Sequence, residues 1–255
     1  AGGGATGPTV TSSQAASSRH EEQPMNQTPS LPSQLGVRPT TELATRFLSQ
    51  SFGWMFAGLL LTAGVAAFVQ GQPGLIRTLG NSWLIIVLGQ LGLAMAIQAL
   101  MPRMSATLGL GLFFAFAATM GLTVGVIVSL YEVQSVTTSF LAASAMFGAA
   151  AFYGATTKRS LTSLGGFLFM GMIGLLVASL VNMFMGSSTV GWVISLIGVI
   201  VFTVYTAYDV QRISFGDYAA SLGSIEKASV LGAIHLYINF VNIFLFLLRL
   251  MGSRR

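Results

Sequence analysis

The 255-residue chain is 53% hydrophobic and 7% charged, with a mean hydropathy of +0.76. An ordinary soluble domain carries about a quarter charged residues, so this composition is that of a membrane protein. The net charge of +5 comes from twelve Lys and Arg scattered singly or in pairs, the pattern of loop charges that set topology rather than of a nucleic-acid surface. There is no cysteine, which removes disulfides, thiol catalysis and cysteine-ligated metal.

Residues 1–50 are rich in Gly, Ser, Thr, Gln and Pro and lack apolar periodicity, so they are expected to be a disordered arm. Met25 is a plausible start, which would make residues 1–24 an upstream extension or a remnant of expression, and His20 lies in the same arm. Residues 51–255 read as one polytopic domain. Seven apolar runs are expected to cross the bilayer: Phe52–Val69, Trp83–Met101, Leu108–Leu130, Thr138–Ala155, Leu164–Met185, Val190–Tyr208 and Val230–Leu248. Their uniform apolarity argues against a barrel, and the need to satisfy backbone groups within each segment excludes an open sheet, so the fold class is an all-α transmembrane bundle. Short connections such as Gly71-Gln72-Pro73-Gly74 and Gly186-Ser187-Ser188 make neighbouring spans antiparallel.

With a cytoplasmic amino terminus, Arg38, Arg46, Arg103, Lys158, Arg159, Arg212 and Lys227 fall inside, against Arg77, Arg249, Arg254 and Arg255 outside. That bias predicts a cytoplasmic amino terminus. The length of the last run fits a full crossing, although a re-entrant segment, with the tail also inside, fits the charges as well. Gly121 and Gly125, and Gly171, Gly174 and Ala178, read as small-residue faces for close helix packing within one chain, with a monomer favoured over a homodimer.

Few ionisable residues are attached to the spans. Asp209 closes the otherwise uncharged run Val190–Tyr208, and such a group is costly enough in a membrane to suggest a function. The alternative is an Asp209 solvated among headgroups. Thr203 and Thr206 precede it at three-residue spacing, and His235, Asn239 and Asn242 fall at i, i+4 and i+7 on one face of the last span, opposite Leu236, Phe240, Ile243 and Leu247. With Arg103 expected on the same side, carboxylate, guanidinium and amide could form a gate that responds to protonation. Glu132, between the third and fourth spans, reads as a solvated loop charge or as an attractor for cations at the outer mouth.

Tyr-Gly-Ala-Thr-Thr-Lys-Arg-Ser-Leu at 153–161, Ala-Ser-Leu-Val-Asn at 178–182, Thr-Ala-Tyr-Asp at 206–209 and Leu-Tyr-Ile-Asn-Phe-Val-Asn-Ile-Phe at 236–244 resemble the Bax-inhibitor (transmembrane BAX inhibitor motif) family, particularly its bacterial inner-membrane members. The resemblance runs from about Thr41 to the carboxyl end. It implies seven helices with the last one central, an activity as a pH-sensitive calcium leak, and, as an alternative, a role as modulator or inhibitor of a membrane-anchored AAA protease. Calcium would be the permeant ion, with at most a transient site near Asp209, and no cofactor is implied. The family's leak is controlled by two aspartates: the first matches Asp209, whereas the second falls on Asn239, and Ser160 stands where relatives often carry aspartate. Without a second carboxylate the like-charge coupling of a dyad is missing, so pH sensing is expected to move to more acidic pH or be lost.

Other classes find less support. No metal-spaced histidine pair, G-x-S-x-G elbow or phosphate loop is present, and a two-aspartate intramembrane protease is excluded because Asp217 lies in a polar loop, so no enzyme is expected. No internal repeat of the kind found in secondary transporters is visible.

Overall fold

The computed structural model describes residues 1–4 and 41–255; His20, Met25 and Arg38 lie outside them. Among the described residues nine α-helices follow one another: α1 Thr41–Gln70, α2 Pro73–Asn81, α3 Trp83–Leu100, α4 Ala106–Val128, α5 Val133–Thr156, α6 Gly165–Met185, α7 Ser188–Ser214, α8 Asp217–Leu222 and α9 Ile225–Met251. Seven of them are long and apolar enough to cross a membrane, and the two short ones, α2 and α8, lie between spans. Among the described residues there is no strand, only an isolated bridge between Tyr131 and Arg254.

The expected spans are all present, but several helices outrun them. α1 starts at Thr41, inside the segment expected to be an unstructured arm, α7 continues six residues past Tyr208, and α9 begins five residues before Val230. Hydropathy marks the part of a helix that meets lipid; these extensions are polar turns of the same helices. Gly71-Gln72-Pro73-Gly74 is only half a turn, because Pro73 opens α2, where its missing N–H is no loss. α9 is 27 continuous residues, about 40 Å at 1.5 Å per residue, long enough for a full crossing.

Burial ranks the helices. Of the most apolar stretch of α9, 72% is buried inside the protein, against 50% for α7 and 11% for α6. α9 packs on α1, α4, α5, α7 and α8, while α3 leans on α4 and α6 on α7. The last helix is therefore central. Its apolar face, with Leu236 and Ile243 fully buried, looks into protein and not into lipid.

Lipid is as apolar as leucine, so burial between helices stabilises through close packing rather than through removal of surface from water. Gly121 and Gly125 serve that purpose against α1: a Cβ would stand 2.9 Å from the Thr62 carbonyl oxygen at the first and 3.0 Å from that of Ala66 at the second. At Gly154 a Cβ would run into the backbone of Ala207, bringing α5 against α7. The face containing Gly171, Gly174 and Ala178 is looser: Gly171 has room to ordinary contact distance from Val201, and Gly174 is open. Midway along the bundle the Tyr237 hydroxyl meets Thr62 Oγ1 at 2.6 Å, and Thr62 Oγ1 lies 2.9 Å from the Ala117 carbonyl oxygen. Phe113 and Phe116 pack edge-on against the Tyr237 ring, with centroids at 5.5 and 5.9 Å.

Candidate functional site

Asp209 sits five residues before the end of α7, on the side facing α9, and is 1% exposed. Solvation among headgroups is thereby excluded for this conformation. Both carboxylate oxygens are engaged. Asn239 Nδ2 on α9 donates to Oδ2 at 2.7 Å, and the Tyr218 hydroxyl on α8 donates to Oδ1 at 2.9 Å. An ionised carboxylate can only accept, which fixes the amide with its nitrogen toward Asp209. His235 Nδ1 stands 3.7 Å from Oδ1, an ion pair when the ring is protonated, and its ring lies 5.4 Å from that of Tyr218.

The chain delivers Tyr218 by a sharp reversal. Gly216 and Gly223 flank α8 with φ of 73° and 63°, left-handed values that a side chain adopts only at a cost, and they lay this six-residue helix against α9. Tyr218 is 3% exposed; burial first, and the neighbouring charge of Asp209 second, push its ionisation well above the ordinary value of 10.0. It is therefore a fixed donor across physiological pH. Arg212 closes the outer side: its guanidinium lies over the Tyr218 ring at 4.5 Å and the Tyr208 ring at 5.5 Å, and its Nε is 3.6 Å from Asp217 Oδ2. Gln211, 2% exposed, accepts from Leu161 N–H at 2.7 Å and donates to the Arg159 carbonyl at 2.8 Å, tying the loop after α5 to the same helix end.

A family model described as "Inhibitor of apoptosis-promoting Bax1" matches residues 44–255. The chain belongs to the Bax-inhibitor family. It is 38% identical over 225 residues to the inner membrane protein YbhL of Escherichia coli K12, which covers 86% of this chain and 96% of the relative. An uncharacterized protein of Deinococcus radiodurans is 38% identical over 216 residues, covering 84% and 94%, and the uncharacterized protein RP147 of Rickettsia prowazekii 37% identical over 215 residues, covering 82% and 90%.

In this Bax-inhibitor protein the residues singled out from sequence are distributed unevenly. Asp209, Asn239 and His235 converge. Arg103 does not join them: it is exposed in the 3-10 turn Met101–Arg103, and among the described residues the ion pairs are those of Arg212 with Asp217 and His235 with Asp209. The guanidinium beside the site is Arg212, three residues beyond Asp209 on the same helix. Asn242 bonds the Ile238 carbonyl of its own helix at 2.8 Å, as Thr203 bonds Val199 and Thr206 bonds Phe202, so these three satisfy themselves locally. Ser160 is exposed and bonds Thr162. Glu132 is exposed at the far end, its backbone N–H donating to the Ser253 carbonyl at 3.1 Å.

Sequence reading missed Tyr218, Gln211 and Arg212 as members of the site. Arg212 carried a usable signal, since i and i+3 on a helix are neighbours. Tyr218 carried none, because only the two left-handed glycines turn it back toward α9. Among the described residues no three His, Asp or Glu side chains converge, and both Asp209 oxygens already have donors.

Proposed function

We propose that this Bax-inhibitor membrane protein is a cation leak, with calcium among its permeant ions, and that the Asp209 cluster is its pH-sensitive gate. The observation that carries the reading is a fully buried carboxylate whose two oxygens hold together α7, α8 and the central α9 at one end of a transmembrane bundle. Asp209 acts as the lock. Ionised, it accepts from Asn239 and Tyr218; protonated, it loses part of its acceptor capacity and competes with its own donors. The charged and titratable groups around it are Arg212 and Tyr205 on α7, Tyr218 on α8 and His235 on α9. Acid therefore loosens this end. Farther along, Tyr237 with Thr62, Phe113 and Phe116 fills the middle of the bundle, so conduction also requires α9 to shift against α1 and α4.

The protein works as a monomer in a bacterial inner membrane, with the Asp209 end cytoplasmic. Arg46, Arg103, Lys158, Arg159, Arg212 and Lys227 gather at that end, in keeping with the positive-inside bias. Lys227, at the start of α9, reaches the Pro102 carbonyl beside Arg103 at 3.2 Å, and Arg46 on α1 lies near Glu226 of α9.

Calcium release from proteoliposomes of the purified chain tests the proposal. Flux that rises in acid for the parent and loses its pH dependence in Asp209→Asn is the expected result. No flux from well-folded parent and variant would overturn the leak and leave the protease-modulator reading to be pursued through degradation of that protease's membrane substrates.

A further inference from the structure

The end of the bundle away from Asp209 is built differently. Here α6 ends, α7 begins and α9 ends, enclosing a cavity of about 720 Å³ whose wall includes Asn182, Ser187, Arg249, Arg254, Trp83 and Trp192. No acidic side chain lines it, and among the described residues neither arginine makes an ion pair. Arg254 lies over the Tyr131 ring at 5.7 Å. The Arg249 guanidinium rests over Gly191, where a Cβ would run into it, close to the Asn182 amide. The glycine thus leaves the space that the guanidinium occupies.

Asn182 adds a polar side chain to the same wall. It is 5% exposed, and its Oδ1 has no hydrogen-bond partner. A buried acceptor left unpaired is costly, and such sites normally receive a donor. The wall thus offers an anion two guanidinium groups that make no ion pair among the described residues. The volume suits a small-molecule headgroup.

Trp83 and Trp192 are 46% and 51% exposed at the rim, and indole rings favour the headgroup layer of a bilayer. Phe184 and Met185 beside them present apolar surface outward, at 83% and 62% exposure, for acyl chains. We propose that this cavity binds the headgroup of an anionic glycerophospholipid, its phosphodiester paired with Arg249 and Arg254. Phosphodiester recognition by guanidinium follows from the match of its planar donors to phosphate oxygens. Such a site also accounts for arginines at the end that topology would otherwise deplete of positive charge. The proposal does not depend on the leak reading.

Tryptophan quenching tests it. The chain has three tryptophans, so the full-length Trp54→Phe protein reports from Trp83 and Trp192 alone. Phosphatidylcholine vesicles doped with brominated phosphatidylglycerol should quench this emission about twofold more than vesicles doped equally with brominated phosphatidylcholine, a preference of the size expected from paired charge contacts. Arg249→Gln with Arg254→Gln should abolish the difference, and the milder Arg254→Gln alone should halve it if the double variant does not fold. Equal quenching by the two lipids would overturn the proposal. Inorganic phosphate should leave the preference intact; relief of quenching by phosphate would identify a free anion and overturn the lipid assignment.

Discussion

The two ends of the α7–α9 pair solve the same problem in opposite ways. Both place an ionisable group beside an asparagine. At one end Asp209 is 1% exposed and Asn239 and Tyr218 donate to both of its oxygens, so the site is complete within the chain. At the other Arg249 is exposed beside an open cavity, and Asn182 keeps an oxygen without a partner. A site that is complete can act as a lock, because changing one group breaks bonds that hold helices together. A site that is incomplete is suited to receive something. The contrast gives the proposed gate and the proposed lipid site different physical grounds.

The largest expected effect breaks the complete end. Asp209→Leu leaves the Asn239 amide and the Tyr218 hydroxyl buried without an acceptor, and should lower stability by about 3 kcal/mol in a thermal unfolding assay in detergent. Arg249→Leu, at the incomplete end, should stay within about 0.5 kcal/mol, because the guanidinium is exposed and unpaired. Comparable losses from the two would erase the distinction between them.

A backbone comparison sharpens it. Gly223 follows α8 with φ of 63°, and Gly186 caps α6 with φ of 64°. Alanine at either position should cost about 1 kcal/mol, the penalty of a Cβ in the left-handed region. Only Gly223→Ala should alter calcium flux, since only that turn aims a residue at Asp209. Flux changes of equal size would mean that helix stability in general, rather than the α8 strap, governs the leak.

Smaller still is the effect of one hydroxyl. Tyr218→Phe should cost about 1 kcal/mol at neutral pH. Its pH dependence has a definite sign: the folded value is raised, so the tyrosine's stabilising share is whole below the ordinary value of 10.0 and drains away as pH rises beyond it. The parent's melting temperature should therefore fall more steeply than that of Tyr218→Phe in strongly alkaline buffer. Parallel curves would place the hydroxyl outside the network.

Much of this was legible in the residues alone. Seven apolar runs announce seven crossings, since bilayer thickness sets the length of an apolar run. The i, i+4 spacing of His235 and Asn239 set them on one face, and Asp209 was marked by its cost in an apolar run. The ends of α1, α7 and α9 were not legible, because a helix that leaves the membrane keeps its hydrogen bonds while losing its hydropathy. Topology puts Arg103 and Arg212 on the same side of the membrane but gives neither a distance from Asp209, so it does not single out Arg212. Asn242 was misplaced for another reason: an amide in a helix can satisfy itself on the carbonyl four residues back, so stripe geometry alone does not identify a network. The Arg249 cavity joins residues from four helices, α3, α6, α7 and α9, and no local spacing encodes that meeting.

In the proposed gate, Asp209 with its neighbour at 239 sets the response to protons. The pH profile of calcium release from proteoliposomes, parent beside Asn239→Asp, tests this most directly. A second carboxylate facing Asp209 should share a proton with it and move the midpoint of the profile to higher pH. An unchanged profile in a folded Asn239→Asp protein would contradict the claim and move the gate away from the junction of α7 and α9.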